Sequence, residues 1–144
     1  MSNNETNTPI RHRDTHFYRI LNEVLNSVTH GFGFGAAVTA TVFLIIKGVA
    51  HGSALEITAY TIYGVSMCLM FLFSTLYHSL KFTKAEKVFH ILDHSGIFFL
   101  IAGTYTPYTL ISIGGALGIT IFVIEWVLAI VGIFGKIFKW KFVM

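Results

Sequence analysis

Ser74 and His78 are four residues apart, so a helix puts them on one face, one turn above the other. A short loop carrying Lys81, Lys84 and Lys87 separates them from His90, Asp93 and His94, which with Ile97 form a matching face at the start of the next apolar run. Two helix ends joined by a short loop can bring all five polar groups within reach of one another. The chemistry open to such a set is metal binding, because neutral imidazole is the commonest metal ligand and a nearby carboxylate orients an imidazole or a metal-bound water. The other reading is that these are polar helix ends at the lipid headgroup level, bonded to backbone and water. Zinc needs about three or four ligands, and spacing does not say which residues those are. Ionisable residues inside membrane spans are costly and tend to face a cavity or a partner, which favours a site.

The elements that must position these groups are membrane helices. Of 144 residues, 54% are hydrophobic and only 12% charged, about half the charge of a soluble domain. The chain therefore reads as an all-α, polytopic transmembrane helix bundle. Its basic balance does not indicate nucleic acid, since Lys and Arg fall in short clusters between apolar runs and make no continuous basic face. Cys68 is the only cysteine and says nothing about the redox compartment. No cleavable signal peptide is expected, because the first apolar run begins at Val28 behind a long polar leader and is too long for a signal core.

In chain order, residues 1–10 read as a disordered tail. Residues 11–27 read as an interfacial amphipathic helix, with Phe17, Leu21, Val24 and Val28 on one side and Arg19, Asn22, Glu23, Asn26 and His30 on the other. Residues 28–144 form the transmembrane bundle, with spans at about 28–46, 57–80, 89–113 and 116–135. Gly114-Gly115 is the expected break between the last two, and Pro107 the expected kink in the third. Arg11, Arg13 and Arg19, then Lys81, Lys84 and Lys87, then Lys136, Lys139 and Lys141 fall on one side of the membrane, against Lys47 alone on the other. The positive-inside rule puts that basic side, and with it both termini and the five polar groups, in the cytoplasm. Glu125 lies ten positions past Gly115, about 15 Å into the bilayer, and is either a functional carboxyl or a protonated one bonded inside the bundle. Gly31, Gly33 and Gly35 follow no strand, so they read as close helix packing and not as a nucleotide loop.

Three segments carry a resemblance. Glu23 to Gly31 (EVLNSVTHG), Ser74 to Ser79 (STLYHS), and Leu92 to Ile97 (LDHSGI) running on to Ile101–Pro107 (IAGTYTP) resemble the hemolysin III family. That family is the bacterial branch of a superfamily that includes the adiponectin and progestin receptors, and its motifs are similar to those of alkaline ceramidases. The resemblance implies a seven-helix fold with a zinc ion near the cytoplasmic side. It makes His78 a zinc ligand and stands Ser74 and Asp93 beside the metal-bound water. The remaining ligands would come from a His-x-x-x-His motif in the last helix, and the last span here, about 116–135, has no histidine. Four spans are present of the seven expected, so the site is incomplete in this chain unless His90 or His94 substitutes or another chain contributes. The expectation is a fragment of a longer protein, its partners being membrane lipids and either the missing C-terminal helices or further copies in a homo-oligomer.

The function that follows is a zinc-dependent intramembrane hydrolase of a lipid amide or ester in a bacterial inner membrane. A non-enzymatic membrane-modifying or cytolytic protein, and a lipid-sensing, receptor-like module, are the alternatives.

Overall fold

In a computed structural model the structure describes residues 16–143, with side chains to residue 138. The expected tail and residues 11–15 of the amphipathic segment lie outside the described residues. Four long helices follow in order, α1 (His16–His51), α2 (Ala54–Ser79), α3 (Glu86–Pro107) and α4 (Gly115–Val143), with a π-helical segment (Tyr108–Ile113) between α3 and α4. No strand occurs among the described residues. All four helices are long and apolar enough to cross a membrane. The chain is an all-α transmembrane bundle.

The ends of the helices follow from local chemistry. α1 runs without a break from the amphipathic stretch through the first span. Its 36 residues extend about 54 Å at ~1.5 Å each, well beyond the ~30 Å hydrocarbon core, so its first turns reach the interface. Gly52, at φ 68°, turns the chain after His51, and the Ser53 hydroxyl then caps α2 by accepting the Glu56 amide at 3.2 Å. This is half of a Ser-x-x-Glu capping box; the Glu56 carboxylate goes to His51 Nδ1 at 2.8 Å instead of returning to Ser53. At the same end of the bundle, after two more spans, Pro107 has no N–H to continue the α-helical ladder, and α3 gives way there to the π segment. The segment closes when the Gly114 amide donates to the Thr109 carbonyl at 2.9 Å, and Gly114 and Gly115, at φ 65° and 57°, reverse the chain into α4.

The helices pack as a row: α2 lies between α1 and α3, and α4 packs against α3 and the π segment. Buried positions along the row are small, among them Ala37, Ala59, Gly64, Ser66, Gly96, Ala102, Gly103 and Ala129. Lipid tails are as apolar as leucine, so membrane helices gain by close approach and not by hiding apolar surface, and small residues allow that approach. Large apolar side chains such as Phe32, Phe43, Leu117 and Val131 point outward and are more than half exposed.

Candidate functional site

Three polar ties cross from α1 to α2 at one end of the row. Glu23 Oε2 lies 2.6 Å from His78 Nδ1, the Ser27 and Ser79 hydroxyls are 2.6 Å apart, and His30 Nδ1 is 2.6 Å from Ser74 Oγ. Positions 23, 27 and 30 sit at i, i+4 and i+7 and so share one face of α1, opposite the last turns of α2. Ser74 is buried, at 2% exposure. The His78 and Glu23 side chains keep 16% and 21%. A groove of about 320 Å³ opens beside them, with Glu23, Ser27, His78 and Ser79 as its polar groups and Ile20 and Val24 among its apolar ones.

A line of rings then leads from α1 through α2 to α3. His30 meets His78 edge-on at 5.7 Å between centroids, Tyr77 lies 5.0 Å from His78 and 5.3 Å from His90, and His90 lies against His94 at 4.2 Å. The Tyr77 ring thus stands between His78 and the histidines of α3. His94 Nδ1 donates to the His90 carbonyl at 2.8 Å, while the Asp93 carboxylate approaches the same nitrogen at 3.6 Å, an ion-pair distance too long for a hydrogen bond. Lys81, between α2 and α3, donates to the Tyr77 hydroxyl and to Glu86 and lies over the Tyr77 ring.

The structure therefore connects Ser74 and His78 to α1 more directly than to α3. Asp93 approaches His94 on its own helix, and none of the described contacts joins it to Ser74 or His78. Sequence reasoning placed Glu23 and His30 on the polar side of an interfacial helix and did not draw them into the site. The signal was present in their seven-residue spacing, which keeps both on one helix face opposite Ser74 and His78. Glu125 is half-buried and makes no hydrogen bond or ion pair among the described residues.

The zinc implied by the resemblance can be tested against this donor set. His78 is suited to the part, since a carboxylate on Nδ1 leaves Nε2 as the nitrogen with a lone pair, the arrangement common to metal-bound histidines. No group of three His, Cys, Asp or Glu side chains is gathered for a metal ion among the described residues. These residues do not by themselves fit a closed zinc site.

Comparison with known proteins bears on the family. The family model described as Haemolysin-III related matches residues 18–143. The chain belongs to the hemolysin III-related family. It is 53% identical to Hemolysin-3 of Bacillus cereus over 116 residues, covering 81% of this chain and 53% of that protein. It is 49% identical to a Hemolysin-3 homolog of Bacillus subtilis over 121 residues, 84% of this chain and 57% of that one. A human monocyte to macrophage differentiation factor is 36% identical over 81 residues, 46% of this chain and 33% of its own length, which supports the relation to the progestin and adipoQ receptor superfamily. The chain spans about half the length of the Bacillus relatives it matches. No solved structure matches it.

Proposed function

We propose that this chain supplies one part of a hydrolytic site for a lipid amide or ester, facing the cytoplasmic leaflet of a bacterial inner membrane with its N-terminus in the cytoplasm. The observation that carries this reading is the groove in which Glu23 and His78 stand beside apolar walls. An amphiphile places its polar linkage and its chain in surroundings of this kind. Zinc, with His78 as one ligand and the others from outside the described residues, is the cofactor the reading takes; when bound it supplies a Lewis acid and an activated water. The chain's own residues do the rest. His78 is held by Glu23, Asp93 is the carboxylate to take a proton, and Ser74, fixed by His30, is too buried to attack a substrate and instead offers a hydrogen bond.

The test is turnover of lipid amides and esters by the protein reconstituted in bilayers, before and after chelation and with His78→Ala. Chelation should abolish turnover, zinc should restore it, and the variant should fall to background. Full activity in His78→Ala overturns the reading. The name of the Bacillus relatives favours a second reading, disturbance of the bilayer without turnover. Dye release from vesicles that survives both chelation and His78→Ala selects it.

A further inference from the structure

The bond between Glu23 and His78 has a chemical consequence. An ionised carboxylate can only accept hydrogen bonds, so an imidazole nitrogen 2.6 Å from it carries the proton. A neutral histidine then has its second nitrogen, Nε2, unprotonated and basic. We propose that Glu23 is a positioning residue for His78, holding the imidazole in its Nδ1-protonated tautomer and presenting Nε2 as the reactive nitrogen of the site. This assignment rests on the hydrolytic reading for its purpose, but its geometry stands on its own.

Four observations support a positioning role over mere helix adhesion. The two residues come from different helices, separated by 55 positions in the chain, so the ring is fixed by an element that does not carry it. Both side chains are largely shielded, at 21% and 16% exposure, which limits competition from water for the same bond. The ring is also packed edge-on by His30 and flanked by Tyr77, so it is held in plane as well as in tautomer. A second tie, Ser27 to Ser79, holds the adjoining turns of the two helices together and so maintains the distance over which Glu23 reaches.

The tautomer can be read directly. Nitrogen NMR of isotope-labelled histidine in the protein, reconstituted in lipid nanodiscs at mildly alkaline pH, distinguishes protonated from unprotonated ring nitrogens, and His78→Gln assigns the signal. The expected result is Nδ1 protonated and Nε2 unprotonated. Glu23→Gln should retain it, because the amide carbonyl still accepts from Nδ1. Glu23→Leu should shift the tautomer ratio by roughly tenfold or more toward Nε2 protonation, the scale set by losing a hydrogen bond to a charged group. A wild-type ring protonated on Nε2, or on both nitrogens, overturns the assignment. So does a Glu23→Leu ring with the wild-type pattern. Should Glu23→Leu fail to fold, the wild-type and Glu23→Gln spectra still decide. The spectrum and the turnover assay fail separately: the expected tautomer in a protein without lipid turnover removes the hydrolytic reading alone, and the wrong tautomer in an active protein removes the role of Glu23 alone.

Discussion

The polar end of the α1–α2 interface and the close contacts along the rest of the bundle hold their helices in different ways. At the first, side chains reach across to one another, Glu23 to His78, Ser27 to Ser79 and His30 to Ser74. Along the second the backbones themselves come close, because Gly64 leaves room for Thr41, Gly103 for Ser66 and Gly118 for the Thr109 carbonyl. A polar contact occurs there too, from Trp126 Nε1 to the buried Thr106 hydroxyl at 3.1 Å, but it sits within a packed interface. Hydrogen bonds between membrane helices average only about 0.6 kcal/mol, while overfilling a tight contact costs about 1–3 kcal/mol. Disturbing the glycine seam is therefore expected to cost more than losing one polar tie. Charged and ring groups at the other end are more than adhesion requires, which is why they are the candidates for function.

The sharpest way to break this comparison is to add a methyl group to the seam. In Gly118→Ala the new carbon would overlap the Thr109 carbonyl oxygen, a backbone atom that cannot rotate away. Destabilisation at the upper part of the ~1–3 kcal/mol range is expected. Thermal unfolding in a fixed detergent measures it. At Gly64 the obstacle is a side chain, so Gly64→Ala should be relieved in part by Thr41→Gly, whereas no side-chain change relieves Gly118→Ala. A neutral Gly118→Ala would show that the seam does not carry the fold.

The polar end should respond less in stability. In a double-mutant cycle, Glu23→Leu and His78→Leu each leave a polar partner unmatched in partly shielded surroundings, at about 1–2 kcal/mol apiece. Removing both should cost less than the sum, with a coupling near ~0.6–1.7 kcal/mol, the range for such pairs in membranes. A coupling that exceeds the cost of Gly118→Ala would reverse the ranking of the two regions.

The helices and two of the polar residues were legible in the sequence, the packing glycines Gly64, Gly103 and Gly118 were not, and the reasons are physical. Long charge-free runs give membrane helices directly, because the bilayer sets their length. Gly114-Gly115 marked the turn into α4 because left-handed backbone favours glycine; Pro107 was expected to kink the third span, whereas the α-helix ends there and the π-helical path of Tyr108–Ile113 was not foreseen. His78 and Ser74 were picked out by spacing on one helix, and periodicity serves within an element. It does not say which neighbouring helix supplies the partner. The loop after α2 is short, so α3 was the natural expectation, yet the hydrogen bonds of Ser74 and His78 run to α1, some 44 and 55 residues away in the chain. Amphipathic patterning also pulled the other way, since Glu23 and His30 resemble the wet face of an interfacial helix when the facing α2 turn is not known.

The smallest expected effect lies where the site meets water, at Lys81. Burial lowers its pKa, but the hydrogen bonds it donates to Glu86 and to the Tyr77 hydroxyl outweigh that and hold the ammonium above lysine's ordinary 10.5. A lysine whose pKa is higher in the folded state contributes stability in full below its unfolded value and loses it as pH rises through the folded one. The difference in melting temperature between wild type and Lys81→Met should therefore be constant through neutral pH and shrink only in the alkaline range above about 10.5. Other lysines and tyrosines titrate there as well, and the difference between the two proteins removes their contribution. A difference that persists unchanged at alkaline pH would mean that the methylenes of Lys81, packed over the Tyr77 ring, matter and its charge does not. Tyr77 would then be held beside His78 and His90 by packing alone, and the polar end would resemble the glycine seam more than the distances between its charged groups imply.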